Sequence, residues 1–246
     1  MKKILFWPYQ LYEWLILMPL VGILSLIFGT LTAVSASLVD PHFASRVFGV
    51  TWARLIGWLT PIAVTVEDKQ NANRKRSYVV VSNHQSLYDI IVIYGWLELD
   101  LKWVMKQELR KVPGIGIGCE KAGHIFIDRR NPRLANEAIT EARDRLGEGI
   151  GVLIFPEGYR SQDGKLTPFK KGAFRLAIEQ SLPVLPVTLL GTRDILPANS
   201  LKAFPGRARL VIHPAIETDG LDLAHTGELM NAAKKAIASA LPEELQ

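Results

Sequence analysis

The sequence predicts an α/β fold: a mixed, mostly parallel sheet flanked by helices and preceded by an apolar helical segment. Short β-branched runs alternate with helical periodicity after residue 60. Several of these runs are apolar at successive positions, as in strands covered on both faces. Residues 1–66 carry only six of the 53 charged side chains. We therefore expect a membrane-anchoring helical segment over residues 1–60 and an α/β domain over residues 61–246.

Composition narrows the class of protein further. The chain has 246 residues, 48% of them apolar, and a formal net charge of +5. The single cysteine, Cys119, excludes an internal disulfide framework and a cysteine-rich metal site. His42, His213 and His225 are scattered along the sequence, so no metal site is expected. A chain this basic and apolar favours a membrane surface over nucleic acid, because its basic residues lack interleaved aromatics.

The N-terminal segment is long enough to meet a bilayer. Residues 14–39 contain no charged side chain, and about 20 apolar residues suffice to cross the hydrocarbon core. Pro19, Gly22 and Gly29 interrupt the run, so a straight span and a re-entrant hairpin both remain open. A cleaved signal peptide, with the small residues 34–36 at its cleavage site, and a soluble core hairpin are two further interpretations.

A second apolar stretch follows the first. Val47 to Val66 mixes aromatic and aliphatic residues with Arg54 and follows Arg46. This composition predicts an interfacial helix whose basic groups face anionic lipid.

The elements of the domain can be assigned in order from periodicity and end signals. Helices are expected from Asn131-Pro132 to about Leu146, around Phe174, Ala177 and Ile178, and from about Thr226 onward. Strands are expected at Ile62–Val66, Tyr78–Ser82, Lys102–Met105, His124–Ile127, Gly151–Phe155, Val184–Leu190 and Arg207–Ile212. In such sheets, functional groups gather at the carboxyl ends of the strands.

The first candidate site follows the second strand. Ser86 and Asp89 could simply be an N-cap and an acidic residue in the first turn of a helix, but this leaves His84 without a role. Five residues lie about 140° apart on an ideal helix, so the Asp89 carboxylate would have to fold back to reach the imidazole. In that geometry, Asp89 could orient His84 as a general base.

Two more strands end in charged residues. Glu157, Gly158 and Arg160 leave a buried strand together, which suits a phosphate site or, alternatively, a tight turn with a surface ion pair. Arg129 follows the strand that ends at Ile127 and could bind an anion or flank a helix start.

One glycine-rich run does not fit a nucleotide site. Gly114, Gly116 and Gly118 have the wrong spacing for dinucleotide binding. Close packing around an apolar ligand is an equally good interpretation of this run.

Four segments together resemble the motifs of a known family. Residues 83–89 are similar to the His-x4-Asp motif of the glycerolipid acyltransferases, and residues 155–158 to their Phe-Pro-Glu-Gly motif. Residues 123–129 resemble the intervening motif that ends in arginine, and residues 184–187 the last, proline-containing one. The resemblance is greatest to the bacterial 1-acylglycerol-3-phosphate acyltransferases, which also carry an apolar N-terminal segment. Tyr159 departs from the family pattern, where threonine is usual.

The resemblance implies a reaction and a place in the cell. A fatty acyl group would pass from an acyl thioester to the sn-2 hydroxyl of lysophosphatidic acid, giving phosphatidic acid. The donor would be acyl-coenzyme A or acyl carrier protein; no cofactor, metal or nucleic acid is expected. The enzyme would lie on the inner (plasma) membrane with its active site on the cytoplasmic face. The alternatives are another lysophospholipid or glycerol-3-phosphate acceptor, or a catalytically silent lipid-binding module.

The resemblance also implies roles for individual residues. His84 would be the general base and Asp89 its orienting partner. The residues implied for the acceptor phosphate are Lys106, Arg129, Glu157, Gly158 and Arg160.

Overall fold

The computed structural model of the protein describes residues 3–127 and 149–246. Two long helices precede the sheet. Helix α1 consists of the α-helical segments Lys3–Tyr12 and Met18–Leu38, joined by the π-helical turn Glu13–Leu17. Helix α2 consists of Pro41–Ala44 and Val50–Leu59, joined by the π-helical turn Ser45–Gly49.

The remaining elements form the α/β domain. The strands are β1 (Ile62–Glu67), β2 (Val79–Ser82), β3 (Asp100–Lys106), β4 (Ile125–Ile127), β5 (Ile150–Ile154), β6 (Val184–Leu190) and β7 (Gly206–Ile212). The helices are α3 (Tyr88–Trp96), α4 (Ile115–Lys121), α5 (Gly172–Glu179), α6 (Thr192–Ile195) and α7 (Thr226–Ser239). All seven predicted strands are present, each within two residues of its predicted ends. The helix predicted from Asn131 lies outside the described residues.

The sheet has the strand order β1-β7-β6-β2-β5-β3-β4. Every neighbouring pair is parallel except β6 and β7, which are antiparallel. This confirms the predicted mixed, mostly parallel sheet. Strands β2 and β5 lie side by side at its centre, so the residues that follow them emerge at the same edge.

Both faces of the sheet are covered, as the continuous apolar runs predicted. Along β2, Val80 packs into the core on one face, among residues of α3 such as Ile93. Val79 and Val81 pack into the core on the other face, where α5 and α7 contribute Phe174 and Ile237. The two central strands, whose ends carry the candidate site residues, are thus covered on both faces.

The N-terminal segment is one continuous helix rather than a re-entrant hairpin, because residues 14–39 reverse direction only after Leu38. At this reversal, the Asp40 side chain accepts a hydrogen bond of 2.7 Å from the Phe43 N–H and so caps the start of α2. Among the described residues, Trp7–Leu38 is the one helix whose length and composition would suffice to cross a membrane.

The helix predicted over Val47–Val66 is wrong after Leu59. The helix ends at Leu59, and Ile62 begins strand β1, which pairs with β7. Arg54 does not project freely toward lipid, since its Nε donates to the Gly95 carbonyl oxygen at 2.8 Å. Pairing with β7 makes this segment a strand. The separate prediction of a strand at Ile62–Val66 was correct.

The glycine run before and within α4 packs against α1. A Cβ atom built on Gly29 would lie 2.1 Å from the Gly114 carbonyl oxygen, and one built on Gly118 would lie 2.8 Å from the Gly29 oxygen. Gly114 also has a φ of +75°, which favours glycine. The small residues therefore let the backbones of α1 and α4 touch.

We predict that Gly29→Ala destabilises the protein, because the new methyl group overlaps the Gly114 backbone. Overpacking of this kind costs about 1–3 kcal/mol, which a urea titration of the detergent-solubilised protein measures. Gly22→Ala is the matched control on the same helix: a Cβ there meets nothing within 4 Å, and alanine is the better helix former. A Gly29→Ala protein as stable as the Gly22→Ala protein would contradict the close approach.

Candidate active site

The ends of β2 and β5 bring two of the predicted segments together. Ser82 is the last residue of β2, and the chain then runs directly into Asn83 and His84. The Asn83 amide fixes this exit by bonding the backbone of Leu189 on β6: its Nδ2 donates to the Leu189 oxygen at 2.9 Å, and its Oδ1 accepts from the Leu189 N–H at 2.8 Å. His84 is therefore held between the neighbouring strands β6 and β5.

The Asp89 carboxylate folds back onto the residues before its helix. Its Oδ2 accepts hydrogen bonds from the backbone N–H groups of Gln85 and Ser86, at 2.6 and 2.8 Å. The same oxygen lies 2.7 Å from the His84 Nδ1. Asp89 is fully buried, and a buried carboxylate needs such donors. The hydrogen bond between the two side chains is thus present; their catalytic role stays a prediction.

The His84 ring is fixed on its other sides as well. It stacks on Phe155, with ring centroids 3.9 Å apart and planes 13° apart. Because Nδ1 is occupied by Asp89, Nε2 is the nitrogen left for a ligand, and it has no hydrogen-bond partner among the described residues. His84 is 7% exposed, so the imidazole reaches solvent only through the cavity beside it.

Glu157 joins two segments of the chain, at His84 and Thr167, and does not line this cavity. Its Oε1 accepts from the His84 N–H at 2.7 Å, and its Oε2 accepts from the N–H and the hydroxyl of Thr167, at 3.0 and 2.5 Å. The side chain is 1% exposed, and this burial raises the pKa of the carboxyl. Glu157 therefore ties the loop after β5 to the histidine.

A cavity of about 480 Å³ opens beside His84. Lys106, the last residue of β3, and Arg160, from the loop after β5, line it. Arg160 is half-buried and has no hydrogen-bond or ion-pair partner among the described residues. The Lys106 Nζ lies 3.3 Å from the Glu108 Oε1. Two cations and one imidazole thus share a single cavity, which suits a ligand that carries both a phosphate and a hydroxyl group.

Two of the predicted phosphate-binding residues remain, Gly158 and Arg129. Gly158 has a φ of +79° at the turn after Glu157, and a Cβ there would lie 2.7 Å from the Lys170 amine. Arg129 lies outside the described residues.

Sequence reasoning missed one wall of the cavity. Tyr159 and Gln162 follow the predicted turn, and Ala198 and Asn199 come from the loop after α6. Nothing in the local sequence marks Asn199, since it lies more than a hundred residues after His84. The only local indication was Tyr159, noted as a departure from the family pattern.

Two further titratable groups are buried elsewhere in the domain. Burial raises the pKa of the Cys119 thiol to about 12 and lowers the pKa of His124 to about 3. Neither side chain lines the cavity beside His84. In residues 3–127 and 149–246, no group of three or more His, Cys, Asp and Glu side chains could hold a metal ion.

The arrangement can carry out proton abstraction. A neutral imidazole with one nitrogen hydrogen-bonded to a buried carboxylate and the other open to a cavity can accept a proton from a hydroxyl group. The nearby cations can hold an anionic group of the same molecule. The chemistry that fits is a transfer to an alcohol that bears a phosphate.

Comparisons with known proteins agree with this chemistry. The sequence model of the family described as Acyltransferase matches residues 63–190. A 1-acyl-sn-glycerol-3-phosphate acyltransferase from Chlamydomonas reinhardtii is 37% identical over 184 residues, covering 74% of this chain and 54% of that protein. The alpha form from Ovis aries is 34% identical and covers 68% of this chain and 58% of its own. The chain thus spans little more than half the length of these relatives.

A solved structure has the same fold. The crystal structure of the 1-acyl-sn-glycerophosphate acyltransferase PlsC from Thermotoga maritima superimposes with a TM-score of 0.72 at 27% identity. The match covers 89% of this chain and 94% of the other.

We predict that Glu157→Ala lowers the free energy of unfolding by about 2–4 kcal/mol, because the buried His84 N–H and the partly buried Thr167 N–H lose their acceptor. Denaturant titration measures the change, and Glu157→Gln, which keeps an acceptor oxygen, should lose less. The control is Glu179→Ala, at an exposed pair with Arg175, which should stay within about 0.5 kcal/mol of wild type. If Glu157→Ala left stability unchanged, the tie through Glu157 would be wrong and a direct role in phosphate binding would gain support.

Proposed function

Because the chain belongs to the acyltransferase family, we propose that it transfers a fatty acyl group from an acyl thioester to the sn-2 hydroxyl of lysophosphatidic acid, giving phosphatidic acid. The observation that carries this proposal is the His84–Asp89 pair, whose free imidazole nitrogen shares a cavity with Lys106 and Arg160. The printed names of the relatives support the choice of acceptor.

In the proposed mechanism, His84 acts as the general base. Its Nε2 takes the proton of the acceptor hydroxyl while the hydroxyl oxygen attacks the thioester carbonyl carbon. The carbon–oxygen bond forms, and a tetrahedral oxyanion results. When the oxyanion collapses, the carbon–sulfur bond breaks, and the leaving thiolate takes the proton from the imidazolium. Asp89 holds the ring in position and stabilises its charged form.

A covalent enzyme nucleophile is not needed, since the thioester is already activated. Acyltransferases of this family need no cofactor. The donor we propose is acyl-coenzyme A or acyl carrier protein, either of which supplies the same reacting carbonyl.

The acceptor phosphate binds, in this proposal, to Lys106 and Arg160. The two side chains line the cavity with His84, and a guanidinium can hold a phosphate through two parallel hydrogen bonds. Holding the phosphate places the hydroxyl near His84 and so contributes through proximity. Arg129 is proposed as a further phosphate ligand on the basis of the family motif alone. For Glu157 and Gly158 we propose an indirect part, through the turn that presents Arg160.

The apolar N-terminal helix indicates membrane association, and we propose residues 1–60 as the anchor and residues 61–246 as the acyltransferase domain. Helix α1 contacts the domain from Glu13 to Gly29, roughly 24 Å of helix, which favours a helix lying along the membrane over one crossing it. We further propose the inner membrane, with the site on the cytoplasmic face. The other face of α1 exposes apolar side chains, including Trp7, Leu11, Trp14, Leu15, Ile23, Leu26, Ile27, Leu31, Val34 and Leu38.

The deciding experiment is incubation of the full chain with labelled acyl thioester and either lysophosphatidate or glycerol 3-phosphate, followed by product analysis. Labelled phosphatidic acid from lysophosphatidate is the expected result. Product from glycerol 3-phosphate alone would assign the other acceptor, and no product from any lysophospholipid would overturn the proposal.

We predict that His84→Ala lowers kcat by about 10²–10⁴-fold, the usual contribution of a positioned base. His225→Ala is the control, because His225 is exposed and pairs with Asp222 away from the cavity. Initial rates with saturating lysophosphatidate measure the effect. Turnover near that of the wild type in a folded His84→Ala protein would exclude His84 as the base.

We predict that Arg160→Ala and Lys106→Ala mainly raise the KM for lysophosphatidate, by roughly 10-fold or more, because each removes a charge-assisted hydrogen bond to the phosphate. Arg175→Ala is the control, since its guanidinium is exposed, pairs with Glu179 and does not line the cavity. An unchanged KM in both cavity variants would move the phosphate site elsewhere.

A further inference from the structure

Helix α1 carries one charged side chain on an otherwise uncharged stretch, and that side chain is buried. Glu13 is 0% exposed, although it precedes a run of 26 uncharged residues. It begins the π-helical turn Glu13–Leu17. Such turns are rare and occur frequently at functional sites. A carboxylate buried within an apolar helix is costly unless hydrogen-bond donors satisfy it. The groups that donate to Glu13 therefore indicate its role.

The Glu13 carboxylate bonds the loop that forms one wall of the active-site cavity. Its Oε1 accepts from the Ala203 backbone N–H, and its Oε2 accepts from the Gln10 side chain at 2.7 Å. Beside this contact, the Tyr9 ring stacks on Phe204 with centroids 6.4 Å apart. The loop, residues 196–204, is the segment that contributes Ala198 and Asn199 to the cavity lining.

The same loop is tied to the catalytic histidine at its other end. The Ser86 hydroxyl donates to the Leu196 carbonyl oxygen at 2.7 Å and accepts from the Tyr88 N–H at 3.0 Å. The Phe204 N–H closes the base of the loop by donating to the Ile195 oxygen at 2.7 Å. The wall is thus held by the His84 segment at Leu196 and by the membrane helix at Ala203.

Helix α2 has the same combination of a π-helical turn and a buried polar residue. Its π-helical turn Ser45–Gly49 also begins at a buried polar residue, Ser45, which is 1% exposed. The Ser45 hydroxyl lies 2.6 Å from the Tyr94 hydroxyl on α3. Each of the two N-terminal helices therefore has one π turn where a polar side chain bonds the α/β domain, which sets Glu13 apart from an accidental buried charge.

The geometry points to Glu13 as a positioning residue that fixes the cavity wall at residues 196–204 to the membrane-bound helix, so that the acceptor meets a preformed site. This inference rests on the proposed function, because the acceptor is the ligand whose binding it affects. Glu13 touches no substrate. It acts through the Ala203 N–H and the loop that carries Asn199.

The inference assigns the effect to hydrogen-bond reach rather than to charge, which gives it a distinctive test. Glu13→Gln keeps an acceptor oxygen for Ala203, and the Gln10 amide can turn to bond the new NH2 group. Glu13→Asp keeps the charge but shortens the side chain by one methylene, which withdraws the carboxylate from Ala203. Glu13→Ala removes the acceptor altogether.

The experiment measures acyl transfer by the full-length variants with lysophosphatidate in phosphatidylglycerol vesicles, together with vesicle co-sedimentation and hydrogen exchange of the 196–204 peptide. We expect Glu13→Ala and Glu13→Asp to raise the acceptor KM about three- to tenfold. The accompanying fall in kcat should be smaller than this factor. The loop peptide should exchange faster in both, while vesicle binding stays the same. Glu13→Gln should restore the KM and the protection of the loop.

Tyr12→Phe is the matched control. It removes the hydrogen bond of 2.8 Å from the Tyr12 hydroxyl to the Leu59 oxygen, one residue from Glu13 but directed to α2 and not to the loop. We expect its KM and its loop exchange to match the wild type. If Glu13→Ala does not fold, the contrast between Glu13→Asp and Glu13→Gln decides the matter.

Two outcomes would overturn the inference: wild-type KM and loop exchange in a folded Glu13→Asp protein, or a raised KM in Glu13→Gln with none in Glu13→Asp. Failure of the wild-type protein to acylate any lysophospholipid would instead reject the proposed function. In that case, faster loop exchange in Glu13→Ala alone would still report the tie between Glu13 and Ala203.

Discussion

The short hydrogen bond between Asp89 and His84 is the interaction on which the organisation of the site depends. It requires the carboxylate to turn back from the first helical turn, and the backbone N–H groups of Gln85 and Ser86 make this position favourable for a buried anion. Once the Nδ1 side of the imidazole is occupied, the Nε2 side can face only the cavity. One carboxylate thus sets the orientation of the ring and starts helix α3.

The loops around this pair are joined through main-chain groups rather than through side-chain packing alone. Glu157 accepts the His84 N–H, and the Ser161 N–H donates to the His84 carbonyl oxygen at 2.8 Å. The loop after β5 therefore binds both polar groups of the histidine backbone. Since Arg160 lies between these two contacts, the same bonds that fix the imidazole also fix a cation of the cavity.

The two N-terminal helices, α1 and α2, are part of this framework and are not detached from the α/β domain. Gly29 lets the backbone of α1 touch α4, and Glu13 reaches the loop that lines the cavity. Helix α1 thus has one face against the domain and the other exposed and apolar, and in the proposed function this second face meets the membrane. The buried polar contacts fix its register on the domain, because an uncharged apolar face alone would allow it to slide.

The sequence by itself determined the strands, the mixed α/β class and the residues that converge at the sheet edge, since these depend on local patterns. Runs such as Val79–Val81 are apolar at every position only when both faces are covered, and Asp89 lies within reach of His84 along the chain. Tertiary structure decided the rest. Glu157 points at the His84 backbone, Asn199 joins the cavity, and Gly29 meets Gly114 only because distant segments pack together. The hydrophobic periodicity of the sequence describes one segment at a time, so it cannot predict contacts between distant segments.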